Sequence, residues 1–235
     1  MDWIHMQVDS EAARTPLPLD VLVPDAEQKG PYKAVFLLHD LAGNNTSWMR
    51  SVPLERYLGE MGAVLVMPSC LNSFYVNMYY GYDMQDYLVR DLVRMCETWF
   101  RMDARREARL IAGIGMGGYG AVHTALAAPD VFGAAVSIDG MLDPGRFYDS
   151  PLPAIKMEDV FGPKEYYERS PHKLANAAAA LAHNPANRLY PEITLCGEGD
   201  GQEELLQALR ESGIHAEAAY DEDPMAVLAE KVRLM

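Results

Sequence analysis

Residues 109–120 read Arg-Leu-Ile-Ala-Gly-Ile-Gly-Met-Gly-Gly-Tyr-Gly. The piece Arg109 to Gly115 is a short apolar run, as expected of a strand buried on both faces. From Tyr119 to Ala128 small residues dominate, which suits a helix lying close to a sheet. Two chemistries use a glycine-rich turn between such elements. One is the dinucleotide fingerprint G-x-G-x-x-G, matched by Gly113, Gly115 and Gly118. Asp139 ends the next strand where a ribose-binding acid would stand. A pyrophosphate would then rest on a helix N-terminus. That fingerprint normally occupies the first strand–helix turn of its domain, and here several strands come first. The other is a nucleophile elbow, G-x-S-x-G, whose middle residue is strained and exposed at the top of the sheet. In this chain the middle position is Gly115.

Outward from the turn, strand-like pieces alternate with helical ones. Strands are predicted at WIHMQVDS and LPLDVLVP near the start, then at 34–39, 63–68, 109–115, 134–139, 192–197 and 215–222. Helices are predicted over 86–100, 119–128, 202–212 and 224–234. The first carries a stripe of Tyr87, Leu88, Asp91, Leu92, Met95 and Trp99. Gly213 caps the third, and Pro224 opens the last. Alternation with double-sided apolar strands predicts an α/β three-layer sandwich, a mostly parallel sheet with helices on both faces. The whole chain, 1–235, reads as one domain. Residues 141–190 are Pro-rich and irregular, then Ala-rich at Ala175 to Ala182, and are expected as a lid-like insertion at the carboxyl ends of the strands.

The 235 residues are 49% hydrophobic and 23% charged, which are globular proportions. A formal net charge of −14 repels phosphate backbones and excludes nucleic acid as a natural partner. No apolar run approaches the roughly 20 residues of a membrane helix. The N-terminus has no basic and apolar regions of a signal peptide. Cys70, Cys96 and Cys196 are odd in number and widely spaced, so neither a disulfide framework nor a metal site is expected. A reducing cytoplasm fits them.

Several segments together carry a resemblance. His39-Asp40-Leu41-Ala42-Gly43-Asn44-Asn45-Thr46-Ser47-Trp48 resembles an H-G-L-x-G-N-x-x-x-W loop. Asn72 to Met78 and Tyr80 to Asp83 resemble S-F-Y-x-N-M and Y-G-Y-D. Ile111 to Ala121 resembles I-A-G-x-S-M-G-G-Y-G-A, and Cys196-Gly197-Glu198-Gly199-Asp200 resembles a strand end bearing a triad acid. On these motifs, which span nearly the whole chain, it resembles the tributyrin esterase and esterase D (S-formylglutathione hydrolase-like) branch of the α/β-hydrolases. The resemblance implies that fold and ester hydrolysis with no cofactor or metal. It puts the triad acid at Asp200 and the oxyanion donors at the backbone N–H groups of Met116 and Leu41. It puts the nucleophile at Gly115, which has no side chain. The family's histidine lies in a G-G-H-x-W-like turn. Here that turn is Asp221-Glu222-Asp223-Pro224-Met225, without histidine, and His215 starts the preceding strand.

A serine attacks only when a base takes its proton and donors meet the oxyanion. Without serine and histidine, only the oxyanion hole and binding remain, about 10³–10⁴ over water in a well-studied protease. A glycine at the elbow also relieves about 1–3 kcal/mol of backbone strain. One knock-out would explain Gly115 but not the missing histidine; decay of the site explains both. The expected function is therefore an esterase-like protein degenerate in catalysis, binding a small ester or acyl ligand or a partner, with a homo-oligomer compatible. The alternatives are a hydrolase with a relocated nucleophile and a nucleotide-binding protein.

The remaining candidates read more plainly. His39 is expected to brace the oxyanion loop, and His123 to pack within its helix or be partly solvated. His172 and His183 are expected at the surface. Asp200 could cap the helix that begins near Gln202. Asp221-Glu222-Asp223 reads as a solvated turn. Phe74, Tyr75, Tyr79, Tyr80 and Tyr82 suit a pocket or the core equally. Ser47 and Ser137 lie near the strand tops or the oxyanion loop without a paired base.

Overall fold

The computed structural model describes residues 1–235 except 26–28, 60, 151, 154, 185, 187 and 188. The parts of the 141–190 segment at those positions lie outside the described residues. Strands β1 (Asp2–Val8), β2 (Leu17–Val23), β3 (Lys33–Leu38), β4 (Ala63–Pro68), β5 (Arg109–Ile114), β6 (Ala134–Ile138), β7 (Glu192–Cys196) and β8 (Ala216–Ala219) form one sheet. Their order is β1-β2-β4-β3-β5-β6-β7-β8. β2 pairs antiparallel with β1 and β4, and every other pairing is parallel. Each strand overlaps a predicted strand-like piece, and β8 is shorter than the predicted 215–222.

Among the described residues the helices are, in chain order, α1 (Ser47–Ser51), α2 (Leu54–Leu58), α3 (Met84–Asp86), α4 (Val93–Phe100), α5 (Met116–Ala127), α6 (Met157–Phe161), α7 (Lys164–Tyr167), α8 (Leu174–His183), α9 (Gln202–Glu211) and α10 (Pro224–Leu234). The period of two along the strands sends side chains to two separate cores. Ala34, Phe36 and Leu38 of β3 join Val64, Val66 and Ile111 beneath α4, α5, α8 and α9. Val35 and Leu37 join Leu65, Met67, Leu110 and Ala112 beneath α1, α2 and α10. These are the three layers of an α/β sandwich.

Two helical expectations change. The predicted helix over 86–100 contains a π-helical turn, Tyr87–Leu92, between α3 and α4. The wider turn moves the buried stripe to Leu88, Leu92, Cys96 and Phe100, and leaves Trp99 half exposed. The segment 141–190 is more regular than its composition suggests. It holds a 3₁₀ turn at Pro144–Tyr148, α6, α7 and α8. The alanines of α8 are strong helix formers, and Ala177 and Ala178 are buried in the core shared with α5.

The glycines of the turn are occupied by the fold itself. A Cβ on Gly113 would lie 2.2 Å from the Gly117 carbonyl, and one on Gly117 would lie 2.4 Å from the Leu38 carbonyl oxygen. α5 thus approaches β3 and β5 backbone to backbone. Gly117→Ala should destabilise the protein by about 1–3 kcal/mol, because the obstacle is main chain that cannot rotate away. Urea unfolding measures this, and an unchanged midpoint would contradict the close approach.

Candidate active site

β5 stops at Ile114, and the chain turns through Gly115 at φ +56° and ψ −114° into α5. A side chain is strained at such a positive φ, and glycine is not. The turn is held firmly. Gly115 N–H donates to the Ile138 carbonyl (3.0 Å), while its own carbonyl accepts from Gly118, Tyr119 and Met141. Met141 also bridges to Asp200. The elbow position and the triad-acid position therefore lie at the same end of the sheet, one residue apart through Met141.

The loop after β3 supplies the second wall. Asp40 Oδ1 accepts from Leu41 N–H at 2.6 Å and from Met116 N–H at 2.8 Å. These are the two amides that the family pattern assigns to an oxyanion. An ideal Cβ on Gly115 would stand 2.0 Å from Asp40 Oδ1 and 2.7 Å from Oδ2. The carboxylate therefore occupies the space in which a nucleophile's side chain would begin.

Below the carboxylate the loop is braced as expected of His39. Its Nδ1–H donates to the Asp40 carbonyl (2.8 Å), and Nε2 accepts from Cys70 N–H (3.1 Å). Burial, above all, lowers its pKa and keeps the ring neutral. With both nitrogens engaged, His39 has none left to act as a base. Tyr75 Oη–H donates to the His39 carbonyl, Ala42 N–H to Asn72 Oδ1, and Trp48 Nε1–H to the Leu38 carbonyl. Asn45 donates to buried Asp20, which also receives Trp3 Nε1–H and hydrogen-bonds His5.

The other predicted residues lie as follows. The Asp200 carboxylate is 54% exposed and pairs with Arg146 at 2.9 Å. It is not the cap of α9; Gly201 holds that position in the left-handed region, which leaves Asp200 one residue outside. Asp221, Glu222 and Asp223 form an exposed turn, and Asp223 Oδ1 caps α10 by accepting from Met225 N–H. His215 precedes β8 at the opposite end of the parallel strands from the elbow. Ser47 Oγ accepts from Asn44 N–H, and Ser137 Oγ is buried without a hydrogen-bond partner. The aromatic group divides. Phe74 and Tyr75 are core, with Phe74 packed on Tyr119 and Phe161, whereas Tyr79, Tyr80 and Tyr82 are exposed.

The dinucleotide reading does not survive this geometry. The start of α5, where a pyrophosphate would sit, already carries the Asp40 carboxylate. Asp139 turns its Oδ1 onto Glu198 N–H.

The Esterase family model, described as "Putative esterase", matches residues 10–222. The chain belongs to the esterase family. A curated relative, an acetyl esterase of Caldicellulosiruptor saccharolyticus, is 22% identical over 209 residues, covering 81% of this chain and 75% of that protein. Among solved structures, the Staphylococcus aureus fluorophosphonate-binding serine hydrolase FphF, with substrate bound, superposes with TM-score 0.81 at 21% identity. The match covers 99% of this chain and 95% of that one. The S-formylglutathione hydrolase FrmB of Staphylococcus aureus follows with TM-score 0.74, 23% identity, and coverage of 99% and 96%. Both structural likenesses run over nearly the whole chain and show a shared three-layer α/β fold.

One pair in this esterase-family chain differs from expectation. His172 is half-buried; its Nδ1 lies 3.4 Å from Nε2 of buried His123, with the rings stacked. The Tyr119 hydroxyl draws it in by donating to the His172 carbonyl. Burial, with His172 beside it, pushes His123 down to about 3, and burial lowers His172. A lowered folded pKa means that the unfolded chain binds the proton first. Above the ordinary histidine pKa of about 6.5 the pair therefore leaves stability unchanged. As pH falls from there toward 3, His123 should cost up to about 1.4 kcal/mol of stability per pH unit, and the lowered His172 adds to the loss in the same direction. Denaturant melts of the wild type and His123→Gln across pH 4–7 should show a shallower slope in the variant; equal slopes would contradict the buried neutral His123.

Proposed function

We propose that this esterase-family protein does not hydrolyse esters through a serine and acts instead by binding a small ligand or a partner. The observation that carries the reading is the elbow itself: Gly115 offers no nucleophile, and the Asp40 carboxylate fills the space above it. The six histidines support it. His39 is spent on the loop, and His5 bonds Asp20. His123 lies seven residues along α5, about 10 Å from its start at the helical rise, and holds His172. His183 bonds the Ala179 carbonyl on α8, and His215 is at the far end of the sheet.

A relocated nucleophile has no comparable support. Ser137 is buried, and Ser47 has no imidazole partner. Burial raises all three thiols, Cys96 and Cys196 to about 12, so none is a ready thiolate. The ligand-binding part of the reading rests on a depression of about 200 Å³ lined by Leu142, Leu174 and Leu205 together with the charged Asp143, Lys173 and Glu204. The buried free cysteines suit a reducing compartment, the cytoplasm. No helix among the described residues is long and apolar enough to cross a membrane.

A fluorophosphonate probe followed by intact-mass analysis tests the claim, together with p-nitrophenyl acetate hydrolysis. No serine should be labelled, and hydrolysis should stay at the buffer rate; stoichiometric labelling would overturn the reading. Gly115→Ser should remain inactive, since its Cβ meets Asp40 and no base is present. Wild-type-esterase rates from that single change would show that a base had been missed.

A further inference from the structure

We propose that Asp40 is a built-in ligand of the elbow: an autoinhibitory carboxylate that keeps both oxyanion amides occupied and shuts out acyl oxygens. The inference rests on the non-catalytic reading and adds what closes the site. Asp40 Oδ1 is held by Leu41 N–H and Met116 N–H at 2.6 and 2.8 Å, distances of charge-assisted hydrogen bonds. Met116 begins a twelve-residue helix, whose N-terminal end favours negative charge. A free carbonyl oxygen is neutral and arrives from solution, whereas the carboxylate is charged and tethered beside its donors. The tethered anion wins on both counts.

The carboxylate and a side chain at residue 115 exclude each other, given the 2.0 Å separation between Oδ1 and an ideal Cβ. Asp40 and Gly115 therefore form one unit. The amides keep their direction without the carboxylate, because other bonds fix the loop: His39 Nδ1–H to the Asp40 carbonyl, Gly43 N–H to the same carbonyl, and Ala42 N–H to Asn72. Removing the side chain should expose two aligned donors at a helix start, a cradle for a small carboxylate.

The test titrates ¹³C-acetate into the wild type, Asp40→Gly and Asp40→Asn, reading the Met116 amide by ¹⁵N–¹H NMR and the melting temperature. Asp40→Gly should bind acetate at least about tenfold more tightly than the wild type, with a saturable shift at Met116 and a raised melting temperature. Asp40→Asn retains an oxygen at the cradle and should bind no better than the wild type. Asp40→Ala gives the same reading as Asp40→Gly if the glycine variant does not fold. Equal acetate binding by wild type and Asp40→Gly, or a folded Asp40→Gly or Asp40→Ala that ignores acetate, overturns the proposal. Probe labelling of the wild type would instead overturn the non-catalytic reading, so the two failures are separate.

Discussion

One carboxylate oxygen shared by two backbone N–H groups joins the parts of this molecule that a hydrolase would use separately. Leu41 belongs to the loop after β3, and Met116 to the first turn of α5. Asp40 bonds both. An anion at that place satisfies donors that the start of a helix otherwise leaves open. It fits only because residue 115 has no Cβ. The bare glycine at 115 and the filled cradle are therefore two sides of one local solution. The same backbone that elsewhere presents a strained side chain here closes over a neighbour's charge.

Around that contact the fold is conventional in its energetics. The parallel strands β3, β4 and β5 are apolar on both faces, and each face has its own core. α5 lies close to the sheet because glycines remove the side chains that would hold it away. This packing fixes where Met116 N–H points, and the His39–Tyr75–Trp48 bracing fixes where Leu41 N–H points. A cradle made of main chain depends on the fold and not on the side chains around it.

The strands were legible because continuous apolar runs ended by glycine or proline have few other readings. The short helices α1, α2, α6 and α7 were not, because four or five residues make little more than one 3.6-residue turn and show no repeat of the apolar pattern. The π turn at Tyr87–Leu92 changed which of Trp99 and Phe100 is buried, and no residue type announces it. At the site, the empty elbow position could be read directly from Gly115 once the flanking glycines were recognised. Asp40 stood in plain view between His39 and Leu41, where the related pattern has glycine. Its role was hidden because its second partner, Met116, lies 76 residues away and is reached only through the fold. The inward position of His172 has a similar cause: the Tyr119 hydroxyl and His123 that draw it in come from α5.

The central claim is that the Asp40 carboxylate accepts a hydrogen bond from the Met116 amide. The most direct measurement is the ¹H chemical shift of the Met116 amide in wild type and in Asp40→Ala, with no ligand added. A charge-assisted bond at 2.8 Å should hold that proton far downfield in the wild type and release it upfield in the variant. A Met116 amide proton at the same position in both proteins would contradict the account.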